Sequence, residues 1–358
     1  MIIRIFITFL LTLILLPGCS DKTDLPQKVE LELKMNDIAE QYVKLVLEIG
    51  LYEPDYVDAY YGPEEWKPVN TSAHEVDSTV IASLTEKVDD LLNKLEGLSE
   101  YEATGLETQR YRFLYKQLLS VRGMISIIAG GKFSFDMEAK VLYDAEPPQY
   151  SPDHFKNILD EMDEILPGEC NLSKRLNDFR NQFIIPAEKL DTVFTAAIHE
   201  CRNRTSKYIE LPEGENFKVE YVNAKPWGAY NWYKGNSFSI IQVNTDLPVY
   251  IDRAIDLAAH EGYPGHHVYN ALLEAKLTKE KEWKEFSVYP LFSPISLIAE
   301  GTANFGIEMA FTKNSRVKFE KEVLFPIANL DSSNVELYYK ILYLTDKLNY
   351  AGNEAARN

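Results

Sequence analysis

Residues 260–267 read His-Glu-Gly-Tyr-Pro-Gly-His-His, and the proline in their middle forbids the regular structure that their surroundings favour. The preceding run, Ile251 to Ala259, is apolar and reads as a helix. Pro264 has no N–H to donate, and its ring clashes with the carbonyl of His260, so the helix must kink or break here. Gly262 and Gly265 on either side permit the backbone conformations that a break demands. Half of the six histidines in the chain fall inside this window.

A hydrolytic zinc site needs neutral or anionic protein ligands, an open position for water and a carboxylate to take the proton of that water. The common helical solution, His-Glu-x-x-His, sets two imidazoles one turn apart. Here Pro264 stands where the second histidine would be. In a straight helix His266 points elsewhere around the axis, and His267 sits about 10.5 Å along it from His260, too far for one ion. A broken helix removes the conflict. His266 then swings back beside His260, Glu261 stays in place as general base, and His267 lines the pocket, backs the ligands or replaces His266. Glu300 is the natural third ligand, an acid interrupting the apolar and small residues 297–304, with Glu308 as runner-up. Such a carboxylate is expected to be buried, and buried carboxylates are paired or metal-bound. The bland alternative is a helix-end cap with Glu300 bridged to Arg253. His199-Glu200, also helical, has no later histidine partner and reads as a structural pair.

These residues carry a resemblance. Residues 260–267 resemble the His-Glu-x-x-Pro-Gly-His-His signature of the bacterial domain of unknown function 885 family. Glu300-Gly301-x-Ala303 resembles that family's Glu-Gly-Trp-Ala segment, and Tyr60-Tyr61-Gly62-Pro63 matches more weakly. The family is distantly similar to helical metallopeptidases such as carboxypeptidase Taq, whose Gly-His-Ala-x-Tyr-Glu run aligns with Gly265 to Asn270 and favours His266 as ligand. Thr302, Asn304 and Phe305 depart from the family pattern. The chain also stops in helix-like sequence at 350–358, where family members often continue, so C-terminal truncation is expected.

The N-terminus reads as a leader. Arg4 precedes the apolar run Ile5 to Leu16, and Leu16-Pro17-Gly18-Cys19 resembles a bacterial lipobox. The expectation is a signal peptide over 1–18, lipidation at Cys19, and a flexible tether over 19–33. That implies anchoring in the bacterial cell envelope, at the outer membrane. Cys170 and Cys201 remain, as a disulfide or as two separate thiols. The net charge of −18, from 55 acidic and 37 basic residues, repels nucleic acid.

The fold class expected is mainly α: a large helical domain over 34–210, then 211–358 with a small antiparallel β-sheet beside the helix of His260. Residues 217–222, 227–233 and 237–244 are the strand candidates, with Lys234-Gly235-Asn236 as a turn. Residues 52–66 read as an aromatic loop and 279–286 as a helix. Two functions compete. One is an envelope-anchored zinc hydrolase acting on a peptide or other amide, with His260, His266 and Glu300 as ligands and Glu261 as base. In it Tyr230 and Tyr233 are candidate transition-state donors, and strand 237–244 pairs with an extended peptide. The other is a non-catalytic lipoprotein module with a degenerate site.

Overall fold

The structure is a computed structural model that describes residues 24–69, 76–98 and 105–358. The leader 1–18 and Cys19 lie outside the described residues. The chain is mainly helical, as the periodicity predicts. Helix α1 (Asp24–Ile49) is followed by a short strand β1 (Val57–Tyr60), then α2 (Ser78–Glu96), α3 (Leu106–Ile128) and α4 (Phe135–Tyr143). Three more helices follow, α5 (Pro152–Ile165), α6 (Leu172–Arg180) and α7 (Leu190–Thr205). The sheet strands are β2 (Asn216–Val222), β3 (Ala229–Tyr233) and β4 (Phe238–Asn244). Beyond them lie α8 (Asp252–Leu257), α9 (His266–Leu272), β5 (Val288–Pro290) and α10 (Pro294–Ala310). The chain closes with α11 (Lys313–Phe319), α12 (Phe325–Ala328), α13 (Val335–Leu348) and α14 (Ala351–Arg357).

Local chemistry sets several starts. The carboxylate of Asp77 accepts from the backbone N–H groups of Thr79 and Val80 at α2, and Ser151 accepts from His154 N–H just before Pro152 at α5. Helix α1 starts earlier than the sequence suggests, taking in residues 24–33 of the expected tether. Pro26 lies in the first turn, and Glu30 pairs with Lys34 one turn on, at 2.8 Å.

Apolar side chains form two cores. One gathers Tyr42, Val46, Leu84, Leu91, Leu114 and Leu118, from α1 to α3, with Leu142 of α4 and Val288 of β5. The other gathers residues of α5 to α7 with β4, α8 and α12 to α13, including Phe183, Phe194, Ile255, Phe325 and Tyr338. Each fully buried aliphatic side chain contributes about 1.5–3 kcal/mol. The cores part between residues 142 and 158, whereas the secondary structure changes near 211. Thus α5 to α7 pack with the second core, not with the first helices.

Two clasps tie the N-terminal core to the later chain. Strand β1, inside the expected aromatic loop, pairs antiparallel with β5, Tyr60 opposite Val288 and Ala59 opposite Tyr289. Arg110 of α3 makes a buried two-pronged salt bridge to Glu285, Nε–Oε1 2.6 Å and Nη2–Oε2 3.0 Å. Glu285 lies in a 3-10 turn, Lys284–Ser287. The helix expected over 279–286 is absent among the described residues: a π turn, Leu273–Lys279, continues α9 and stops where that helix was to begin.

The three-stranded sheet has the order β2-β4-β3. It is mixed rather than antiparallel: β3 pairs antiparallel with β4, as a hairpin should, but β2 pairs parallel with β4. Strand β4 buries Ser239, Ile241 and Val243 and therefore takes the centre. Both its edges are paired, so residues 237–244 have no edge to offer a peptide, contrary to expectation.

Candidate metal centre

The break falls where Pro264 requires it. Helix α8 widens into a π turn over Ala258–Gly262, with Tyr263 N–H donating to the Ala258 carbonyl at 2.9 Å. The chain leaves the helix at Tyr263 and re-enters it at His266. Between these points Gly265 N–H donates to the Ala259 carbonyl at 2.9 Å, pulling the second segment against the first. A side chain at 265 has no room: a Cβ there would lie 1.9 Å from the His260 carbonyl oxygen. Glycine is required by close approach, since its φ of −72° is ordinary. Gly306 of α10 receives the Pro264 ring in the same way, with a virtual Cβ 3.1 Å from Cγ.

This fold-back brings the two imidazoles to a centroid separation of 4.7 Å at 87°. Helix α10 adds Glu300, with His260 Nε2–Oε2 at 3.4 Å and His266 Nε2–Oε1 at 3.2 Å. One ligand atom from each of the three residues lies within 4.8 Å of the others. Glu300 is not buried as expected: its side chain is 53% exposed and the histidines are largely covered. Its partner is not Arg253, which pairs with Asp256 at 3.3 Å. Glu308, the runner-up ligand, is exposed and outside this group.

Asn304, one turn beyond Glu300, sets the orientation of His260. Its Oδ1 lies 3.2 Å from His260 Nδ1. With Nδ1 turned to Asn304, Nε2 is the nitrogen that faces Glu300. Asn304 entered the sequence reading only as a departure from the family pattern, although its i+4 spacing from Glu300 marks a shared helix face.

His267 lies outside the His260–His266–Glu300 group and does not line the cavity beside it. It is fully buried, Nδ1 against Ser239 Oγ at 2.9 Å and Nε2 against Glu215 Oε2 at 3.0 Å. Glu215 also accepts from Tyr263 at 2.6 Å and from Arg202 at 2.6 Å. Burial opposes the Glu215 charge, but those three donors outweigh it and lower its pKa. The network fixes the outer side of the break to β4, and both nitrogens of His267 are occupied by it.

Glu261 is 6% exposed, and its side chain makes no hydrogen bond among the described residues. Burial raises its pKa against the pull of His266 and His260. For His260, burial opposes charge, yet the Glu300 hydrogen bond and the Glu261 and Glu300 charges prevail and raise its pKa. Hydrogen bonds from His260 and His266 hold Glu300 far below the usual carboxylate range.

Beside the cluster lies a cavity of about 200 Å³, lined among others by Asp58, Tyr230, Asn231, Glu261, His266 and Glu300. Tyr230 donates its hydroxyl to the Asp58 carboxylate at this cavity. The hydroxyl of Tyr233 donates to Glu274, which also accepts from Asn236 and Ser237 N–H at 3.0 and 3.1 Å. It pins the β3–β4 turn, whose residues 235–237 have positive φ, and so is not free as a transition-state donor. A larger groove of about 650 Å³ lies between α5, α11 and α13, but no histidine or cysteine lines it.

His199-Glu200 is structural as expected, Glu200 accepting from Arg204 at 2.7 Å. Cys170 is exposed and Cys201 buried, and both are free thiols. No helix among the described residues is long and apolar enough to cross a membrane.

The three residues form a donor set that suits zinc, and the two His–Glu separations are those of a tetrahedral site. Ligands at about 2.0–2.1 Å in a tetrahedron stand roughly 3.3–3.4 Å apart, and the two His–Glu separations are 3.4 and 3.2 Å. Two imidazoles and one carboxylate form the donor set of many hydrolytic zinc sites. No protein-family model, curated protein or solved structure matches this chain.

Proposed function

We propose that this protein is a zinc-dependent, peptidase-like hydrolase acting on a peptide or another amide. The observation that carries the reading is the convergence of His260, His266 and Glu300 across a helix break, with Glu261 buried beside them. When bound there, zinc would supply Lewis acidity to polarise a carbonyl and acidify water. Glu261 accepts the proton of the attacking water at its carboxylate and passes it to the leaving amine. Asn304 orients His260, and the Glu215–His267 network holds the break closed so that His266 keeps its place. Tyr230 stands at the cavity with its hydroxyl on Asp58.

The same proposal includes membership of the domain of unknown function 885 family, on the motifs at 260–267 and 300–303. It also includes a lipid anchor at Cys19 in the bacterial cell envelope, on the leader-like residues 4–19. Zinc content of the purified protein tests the metal reading: about one equivalent, lost in both His260→Ala and Glu300→Ala, is expected. Equal zinc in both variants overturns it. Glu261→Gln should keep the metal and lose turnover on a mixed peptide library. Undiminished hydrolysis by that variant removes Glu261 as the base, and absence of turnover in the wild type leaves a non-catalytic metal-binding module.

A further inference from the structure

The cavity beside the cluster is one-sided in its polar lining. Its acidic groups are Asp58, Glu261 and Glu300, and no lysine or arginine lines it. Lys234, which acts on Asp58 at longer range, lies over the Trp232 ring at 5.1 Å and is not part of the lining. Apart from the imidazoles of His260 and His266, which face Glu300, the lining offers no cation for a ligand's carboxylate to pair with. The neutral groups point the same way. Asn231 donates Nδ2 to the Glu261 carbonyl at 2.6 Å, which leaves its buried Oδ1 without any partner. Glu261 itself is more than nine-tenths buried and makes no hydrogen bond among the described residues. Unpaired buried acceptors are costly, and a ligand that brings N–H donors relieves them.

The cavity, at about 200 Å³, is below the roughly 300–1,000 Å³ of drug-sized pockets. It suits a chain end or one side chain rather than a long segment.

We propose that this cavity selects substrates bearing a primary ammonium on the residue that supplies the scissile carbonyl, with Asp58 as the counter-ion and Asn231 Oδ1 as a second acceptor. The inference rests on the hydrolase reading and assigns its substrate class. Tyr230, by donating to Asp58, fixes the carboxylate and so positions it. The ammonium is either the free α-amino terminus of a peptide or a lysine side chain, and both present the same three donors.

Three anilides separate the sources on the zinc-loaded protein: leucine 4-nitroanilide, its N-acetyl form, and N-acetyl-lysine 4-nitroanilide. The expected result is a kcat/KM at least about tenfold higher for one amine-bearing anilide than for N-acetyl-leucine anilide, the floor for one charge-assisted hydrogen bond. Preference for the first anilide assigns the α-amine and preference for the third assigns lysine. In Asp58→Asn the ratio should fall towards one. Equal rates on all three anilides, or a preference that survives Asp58→Asn, overturns the inference while leaving the hydrolase standing. Calorimetric titration with leucinamide, lysine Nα-acetyl amide and N-acetyl-leucinamide gives a readout independent of turnover. If no anilide is cleaved, the hydrolase reading fails, and amine-selective binding lost in Asp58→Asn still upholds the site. Binding without amine preference sinks it.

Discussion

Replacing Gly265 by alanine places a methyl group 1.9 Å from the His260 carbonyl oxygen and 2.5 Å from that of Ala259. A Cβ does not approach such atoms closer than 3.0 Å, so a gap of about 1.1 Å must open. Neither carbonyl can yield alone. Both belong to the π turn, and the Ala259 oxygen accepts the hydrogen bond that closes the fold-back. The opening is therefore transmitted to the next residue, His266. Metal–ligand distances tolerate about 0.2 Å, and losing the groups that orient a ligand weakens metal binding by about 10–100-fold. Gly265→Ala should lose about 1–3 kcal/mol of stability to overpacking and bind zinc at least about 10-fold more weakly. Two neighbouring glycines are the controls. A Cβ at Gly306 would lie 3.1 Å from the Pro264 ring, and one at Gly262 would lie 3.1 Å from the Phe217 ring. Rings can shift by tenths of an ångström, so both alanine variants should keep zinc and lie within about 1 kcal/mol of wild type. Urea midpoints and zinc retained after dialysis would be measured on all three. Wild-type zinc in Gly265→Ala refutes the close-approach argument. Equal losses in all three refute its link to His266.

Asn304→Ala, which removes the acceptor on His260 Nδ1, should weaken zinc binding by about 10–100-fold in a chelator competition, and unchanged affinity would remove its orienting role. His267→Gln should retain zinc while losing about 1–3 kcal/mol of stability in urea, because Ser239 and Glu215 lose a buried partner. Loss of zinc at unchanged stability would make His267 the ligand after all. Burial pushes the Glu320 pKa up to about 8 from 4.5, against the pull of Arg316. The folded chain thus holds a proton that the unfolded chain releases, so this contribution is complete below about pH 4.5 and is lost as pH rises through about 8. The shift corresponds to a limit on the order of 5 kcal/mol. Glu320→Gln should flatten the fall in urea midpoint between pH 5 and pH 8, and an unaltered slope counts against the assignment.

The break at Pro264 and the pairing of His266 with His260 were legible because both follow from short-range rules, ring geometry and helical rise. Glu300 was legible as an acid in an apolar helix, but its exposure was not, since the cavity edge is made by segments far away in the chain. The choice between His266 and His267 rested on a resemblance, because spacing alone fits either. In the fold, Glu215 and Ser239 take both nitrogens of His267. Asp58 left no local signal. It reaches the cavity only because β1 pairs with β5, more than 220 residues later. Strand β2 was read correctly as a strand and wrongly as part of an antiparallel sheet, since alternation fixes the faces of a strand and not its direction. The stretch 24–33 was read as a tether from its charge, although charged residues at i and i+4 also support a helix.

The two cores divide the labour of the site unequally. The three candidate metal ligands and Glu261 come from the later half of the chain, from the broken helix and α10. Asp58 comes from β1, whose neighbours Tyr56 and Val57 pack with the N-terminal core. On the proposed function, reaction chemistry and substrate preference are drawn from different stretches of sequence. On that reading, substitutions around β1 retune which amide is accepted without disturbing a candidate ligand.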